Sequence, residues 1–138
     1  MTVPVLHDPS RCPCGSGAAY ADCCGALHRG RGAEGATAPT AERLMRSRFS
    51  AFAVADVPYL LETWHPSTRP KALSLDPGLQ WRRLEIVATT RGGVDDDAGT
   101  VEFVAHYWDA AAGRGGQQHE DSVFVREAGR WLYVMPAP

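Results

Sequence analysis

Four cysteines, Cys12, Cys14, Cys23 and Cys24, stand in a C-x-C-x8-C-C spacing that constrains this chain more than any other feature. Two thiols one residue apart can be delivered from a single tight turn. Gly15 and Gly17 let the backbone curl and loop back. A short helical turn from Ala18 then presents the second pair. Four soft sulfurs so arranged suit a tetrahedral zinc-like ion, with Zn–S bonds of about 2.3 Å. Disulfides fit less well, because Cys12–Cys14 or the neighbours Cys23–Cys24 would be strained. A redox pair normally uses C-x-x-C, which is absent. The fourth ligand stays open. Cys23 and Cys24 on one helix would point about 100° apart, so His28, four residues after Cys24, is the alternative to Cys24, with Gly25 expected to break the helix between them. Either set fills all four positions, the mark of a closed structural site. Zn2+ is the leading ion and Fe2+ the alternative at a thiolate-rich site.

The region around the cysteines cannot build a core alone. Residues 1–35 hold all four cysteines and six of the 14 glycines but few large apolar side chains, so a bound metal would supply the missing folding energy. Residues 36–138 hold every Trp and every Phe and read as an ordinary folded domain. Gly30 to Pro39 reads as a linker between the two. The net charge of -2 leaves no chain-wide basic field for nucleic acid or an anionic membrane. Met1 to Pro9 shows no apolar run of signal-peptide length. Nothing approaches the ~20 apolar residues of a membrane span. The expectation is a cytoplasmic protein with no membrane partner and reduced thiols.

In the larger region, Thr40 suits the N-cap of a helix, with Glu42 in its first turn. Leu44, Met45, Phe49 and Phe52 form its buried stripe. Asp56 suits the cap of a second helix, with Pro58 tolerated at its start and Pro66 stopping it. Residues 81–91, 100–109, 118–127 and 130–135 alternate with period two and read as four strands. Ala128-Gly129 fits a tight hairpin turn. Two helices followed by four antiparallel strands is an α+β arrangement, a curved sheet closing over helices to enclose a cone-shaped cavity.

Cys12-Pro13-Cys14-Gly15-Ser16-Gly17, Tyr20 and Cys23-Cys24-Gly25 resemble the SEC-C motif, the metal-binding tail of the preprotein translocase ATPase SecA. Ala18 and Ala19 stand where that motif usually carries basic residues. The remainder resembles the YchJ family of uncharacterised bacterial proteins. The carrying residues are Thr40-Ala41-Glu42, Leu44 to Phe52, Thr63-Trp64-His65-Pro66-Ser67-Thr68-Arg69-Pro70, Val101-Glu102-Phe103, His119-Glu120, Phe124 to Glu127 and Gly129-Arg130-Trp131. This resemblance implies a nuclear transport factor 2-like cone for residues 36–138, behind a knuckle and linker at 1–35. It implies no established activity.

Cavity candidates follow from residue chemistry. His65 and Arg69 flank a proline-bounded segment beside Trp64 and could bind an anion or move a proton at a cavity mouth; the competing reading makes Trp64 core and His65 a helix-end cap. Arg48 could reach inward toward Glu102 or lie along the helix surface. Glu102 and His106 share one strand face, inward or outward, with Phe103 and Tyr107 opposite. The leading function is a non-enzymatic adaptor or binding module. Its knuckle would meet a protein or ribosomal partner, and its cone would hold a small ligand. The alternatives are a cofactor-independent enzyme using Arg48, His65, Arg69 and Glu102, and a structural homodimer paired through the sheet.

Overall fold

The computed structural model describes residues 10–30 and 37–138. A 3-10 turn, Tyr20–Asp22, leads into α1, Cys24–Arg29. Next come α2, Ala41–Ala53, and α3, Val57–Glu62. Four strands follow: β1 Leu79–Arg91, β2 Ala98–Asp109, β3 Arg114–Glu127 and β4 Arg130–Pro136. They form one antiparallel sheet in the order β1-β2-β3-β4. This is the α+β arrangement that the alternation and helix signals imply. The boundary at 35/36 and most of the Gly30–Pro39 segment fall outside the described residues. Among the described residues, no helix is long and apolar enough to cross a membrane.

The local signals act as their chemistry dictates. Thr40 Oγ1 accepts from the Arg43 amide at 3.1 Å, and Asp56 Oδ1 from the Tyr59 amide at 3.2 Å, so each side chain satisfies an orphan donor at its helix start. Ala128 and Gly129 both have positive φ, 52° and 76°, as a tight two-residue hairpin turn requires. Two expectations differ from the structure. Gly25 does not break a helix but lies inside α1. Pro66 does not end α3: the helix is finished by Thr63, because Trp64 bridges to Tyr133 of β4 and the backbone turns to follow that strand.

Burial along β2 alternates: Val101, Phe103 and Ala105 face the helices, and Glu102, Val104 and His106 face away. Register shifts in β1, between Trp81 and Arg83 and between Ile86 and Ala88, add twist and bend the sheet over α2. Leu44, Phe49, Leu60, Val101 and Phe124 are almost fully buried where helix and sheet meet. Leu27 of α1 belongs to the same apolar cluster, so the first helix leans on the larger core instead of making its own.

Candidate functional site

The cysteine turn is built by backbone geometry. The Cys12 amide donates to Ala18 O at 2.9 Å, and Arg11 bridges Ala19. Closing so short a loop needs left-handed residues, and Gly15 and Gly17 supply them at φ 85° and 87°. Cys23 has φ -127° and ψ -116°, outside both the 3-10 turn and α1. That break removes the angular conflict expected of adjacent helical cysteines. All four Sγ atoms lie within 4.8 Å of one another. Cys14 and Cys24 are fully buried, and Cys12 and Cys23 nearly so. A tetrahedral ion with bonds of about 2.3 Å spaces its sulfurs about 3.8 Å apart. Cys14 and Cys23 Sγ stand 3.7 Å apart, at that edge length and far beyond a disulfide bond. The cluster can bind a metal.

The surroundings favour a cation held by thiolates. The Cys12 thiol is drawn down to about 3 by hydrogen bonds from Cys14 and Cys24, while Cys24, giving its proton toward them, is pushed up. Arg43 donates to Cys23 Sγ at 3.2 Å and Cys24 Sγ at 3.3 Å. Burial works against its charge, but the Cys24 hydrogen bond and the field of the other thiols outweigh it and raise its pKa. Four thiolates around a divalent ion carry two excess negative charges, and Arg43 offsets part of that. Ser16 and Ser50 hydroxyls reach Cys23 at 3.1 Å and Cys12 at 3.5 Å. Outer contacts of this kind fix ligand orientation.

His28 is engaged elsewhere. Its Nε2 donates to the Ser47 carbonyl at 2.9 Å, which leaves Nδ1 to accept from the Tyr20 hydroxyl at 2.6 Å. Both ring nitrogens are occupied, and the sulfur of Cys24 is the fourth member of the cluster. His28 is a strut joining the knuckle to α2, and it explains why the tyrosine sits in the motif. Gly25 has a steric reason too: a Cβ there would meet Tyr20 O at 2.6 Å. Gly25→Ala is expected to destabilise the protein by roughly 1–3 kcal/mol, read by urea unfolding. A change below about 0.5 kcal/mol would show that the knuckle has slack the packing denies.

A cavity of about 200 Å³ lies between α2 and the sheet. Arg48, Trp64, Glu120, Ser122 and Tyr133 form its polar side, and Phe49, Phe52, Trp81 and Phe103 its apolar side. Arg48 and Trp64 are therefore cavity residues. Three other candidates are not. Glu102 sits on the outward parity of β2 and pairs with His119 of β3 at 2.6 Å. Its companion His106 faces outward too, 2.5 Å from Glu85, and that hydrogen bond holds the Glu85 carboxyl below its usual range. His65 turns across the surface to Glu127 at 2.8 Å and Ser67 at 2.7 Å. Arg69 folds back onto the Trp64 carbonyl through Nε at 3.0 Å and Nη2 at 2.9 Å. The carboxylate in the cavity is Glu120. Counting back in twos from the buried Phe124 places Ser122, Glu120 and Gln118 inward, a parity that finds all three from sequence.

Two family models match the chain. One, "YchJ, middle NTF2-like domain", covers residues 40–136, and the SEC-C motif covers 9–26. A UPF0225 protein of Corynebacterium glutamicum is 51% identical over 123 residues, covering 89% of this chain and 93% of the relative. One from Streptomyces coelicolor is also 51% identical, covering 89% and 91%. The solution structure of a SEC-C motif containing protein from Rhodopseudomonas palustris superposes with a TM-score of 0.75 at 32% identity, over 92% of this chain and 97% of that one. A crystal structure of a SEC-C motif containing protein from Psychrobacter arcticus gives 0.75 at 28% identity, over 94% and 83%. With a SEC-C motif at 9–26, the NTF2-like domain model over 40–136 and relatives about half identical over nearly their whole length, the chain belongs to the YchJ-like UPF0225 family.

Proposed function

We propose that the protein is a non-enzymatic binding module whose knuckle holds a structural Zn2+ and docks on a protein or ribosomal partner. The observation that carries this reading is the set of four buried sulfurs, all within 4.8 Å of one another. Sulfur would fill every position of a tetrahedral ion and leave none for a substrate. Thiolates also accept Fe2+, so Zn2+ rests on its fit to closed four-sulfur sites. Free cysteines suit a cytoplasmic location, where thiols stay reduced.

The docking reading is supported by how the turn is presented. Gly15, Ser16, Gly17 and Ala18 are exposed above buried sulfurs. Arg46 Nη1 holds the Cys14 carbonyl from below at 2.8 Å. A rigid projection loses little freedom on binding, which favours recognition. The enzyme alternative gathered Arg48, His65, Arg69 and Glu102 around one substrate. Only Arg48 lines the cavity, so that constellation is not assembled.

Elemental analysis of reduced protein purified without added metal should find about one zinc per chain. Iron in its place, or no ion, overturns the zinc assignment. Ala18→Glu places a charge on the exposed turn without touching a sulfur. It should keep the zinc and lower recovery of the partner from lysate several-fold, whereas equal recovery overturns the docking role.

A further inference from the structure

The cone cavity contains a buried cation that no carboxylate contacts. Arg48 is 4% exposed. Its Nη1 donates to Leu60 O at 2.8 Å and Thr63 Oγ1 at 2.7 Å, which pins the guanidinium in place. Among the described residues, Nε and Nη2 meet no acceptor, and no carboxylate lies within ion-pair distance. The guanidinium stands 5.2 Å from the ring centre of Trp64 and 4.8 Å from that of Tyr133. Those ring faces attract the cation but do not use its remaining N–H donors. Burial lowers the Arg48 pKa to about 10, so it stays charged at neutral pH. Trp64 adds a second vacancy on the same wall: its Nε1 is buried and has no partner. Buried polar groups are ordinarily satisfied, and buried charges paired. A guanidinium with its hydrogen bonds confined to Nη1, lining a cavity, points to an acceptor that completes its free edge.

The opposite polar group is different. Glu120 Oε2 accepts from Ser122 Oγ and from Tyr133 Oη, the latter at 3.2 Å. Among the described residues, its Oε1 meets only the Gln118 amide, at 3.5 Å. Tyr133 stands between the two charges, its ring against Arg48 and its hydroxyl on Glu120. An occupant must therefore bring acceptors to Arg48 and a donor to Glu120. Phe49, Phe52 and Trp81 supply an aromatic wall, the two Phe rings inclined to Trp81 by 76° and 57°. The space, about 200 Å³, is below the roughly 300–1,000 Å³ of sites for drug-sized ligands. It suits one ring and excludes a nucleotide.

We propose that the cone cavity binds a single-ring aromatic carboxylate bearing a hydroxyl or amino group, with its carboxylate on Arg48 and its donor on Glu120. A carboxylate matches the guanidinium edge in shape and charge. The ring would lie against the aromatic wall. This site is separate from the cysteine cluster and does not depend on the docking role of the knuckle.

Trp64 and Trp81 line the cavity, so tryptophan fluorescence and calorimetry of the full chain with its metal can report binding. 4-Hydroxybenzoate should bind saturably at micromolar to millimolar concentration, benzoate several-fold more weakly, and benzyl alcohol, which has no carboxylate, not measurably. Arg48→Met should weaken 4-hydroxybenzoate binding at least tenfold while leaving the thermal midpoint equal or higher, since it replaces a desolvated charge that has no ion-pair partner with an apolar chain of similar length. Glu120→Gln should narrow the gap between 4-hydroxybenzoate and benzoate. Arg48→Lys keeps the charge but loses the planar edge, and should bind several-fold more weakly should the methionine variant fail to fold. Absence of saturable binding to the wild-type chain, or equal affinity in the Arg48 variants, overturns the proposal. A lower thermal midpoint in Arg48→Met with unchanged binding would make Arg48 a structural residue.

Discussion

Cys14→Ser should reduce the bound ion from about one per chain to nearly none and lower the thermal midpoint by more than about 10 °C. Cys14 is completely buried, its Sγ is 3.7 Å from that of Cys23, and its carbonyl is held by Arg46. Serine has nearly the same shape, so packing is preserved and the loss reports on the metal bond. Its oxygen is a harder, less acidic donor than sulfur. Structural zinc contributes about 10–16 kcal/mol in finger peptides, as much as the ~5–15 kcal/mol that holds a typical domain together. The knuckle has no apolar core to fall back on. Elemental analysis and thermal unfolding measure both effects, and treating the wild-type chain with a strong chelator should reproduce them. His28→Gln, by contrast, should keep its ion, because both imidazole nitrogens are already bonded to protein. A Cys14→Ser protein with full metal and an unchanged midpoint would remove the cluster from the account of the fold.

Phe124→Ala is expected to cost about 3–5 kcal/mol. Phe124 is fully buried near the middle of the sheet. Its backbone pairs with Gly99 on one side and Tyr133 on the other, and its ring stands 5.8 Å from that of Tyr133. Its ring is fully enclosed, so both the transfer term and the cavity term apply. For a chain of this length, each kcal/mol moves the midpoint by about 3–5 °C, so a fall of roughly 9–25 °C should follow. Urea unfolding should show a lower midpoint with an unchanged slope, the sign of a pure stability change. A loss under about 1.5 kcal/mol would mean that the sheet is not packed as described.

What could be read from sequence divides along physical lines. Thr40 and Asp56 act over three residues, so their capping roles follow from the chain itself. The four strands emerge near their expected positions because Val, Phe and Trp alternate there, with β3 starting earlier, at Arg114. The cysteine spacing marks its cluster directly, because chelation is local. Side-chain direction across the fold was harder. Chemistry alone makes Glu102 and His65 cavity candidates and leaves the outward alternatives open; a strand's parity and a backbone bridge from Trp64 to Tyr133 turn them outward. Glu120 is legible only by counting in twos from Phe124, and that count points inward once Phe124 is known to face the core. The docking of α1 on α2 through His28 joins residues 19 apart, Ser47 and His28, and no local pattern announces it.

The two faces of α2 have different clients. Arg43, Arg46 and Ser50 reach the cysteine turn, while Met45, Arg48, Phe49 and Phe52 line the cavity. Both sets are phased by the same 3.6-residue turn. Inserting or deleting one residue between Met45 and Arg48 would rotate the residues after it by about 100° against those before it, splitting both sets. Length in that segment is therefore far less negotiable than residue identity: point changes can be absorbed one site at a time, but a frame slip uncouples both sites at once.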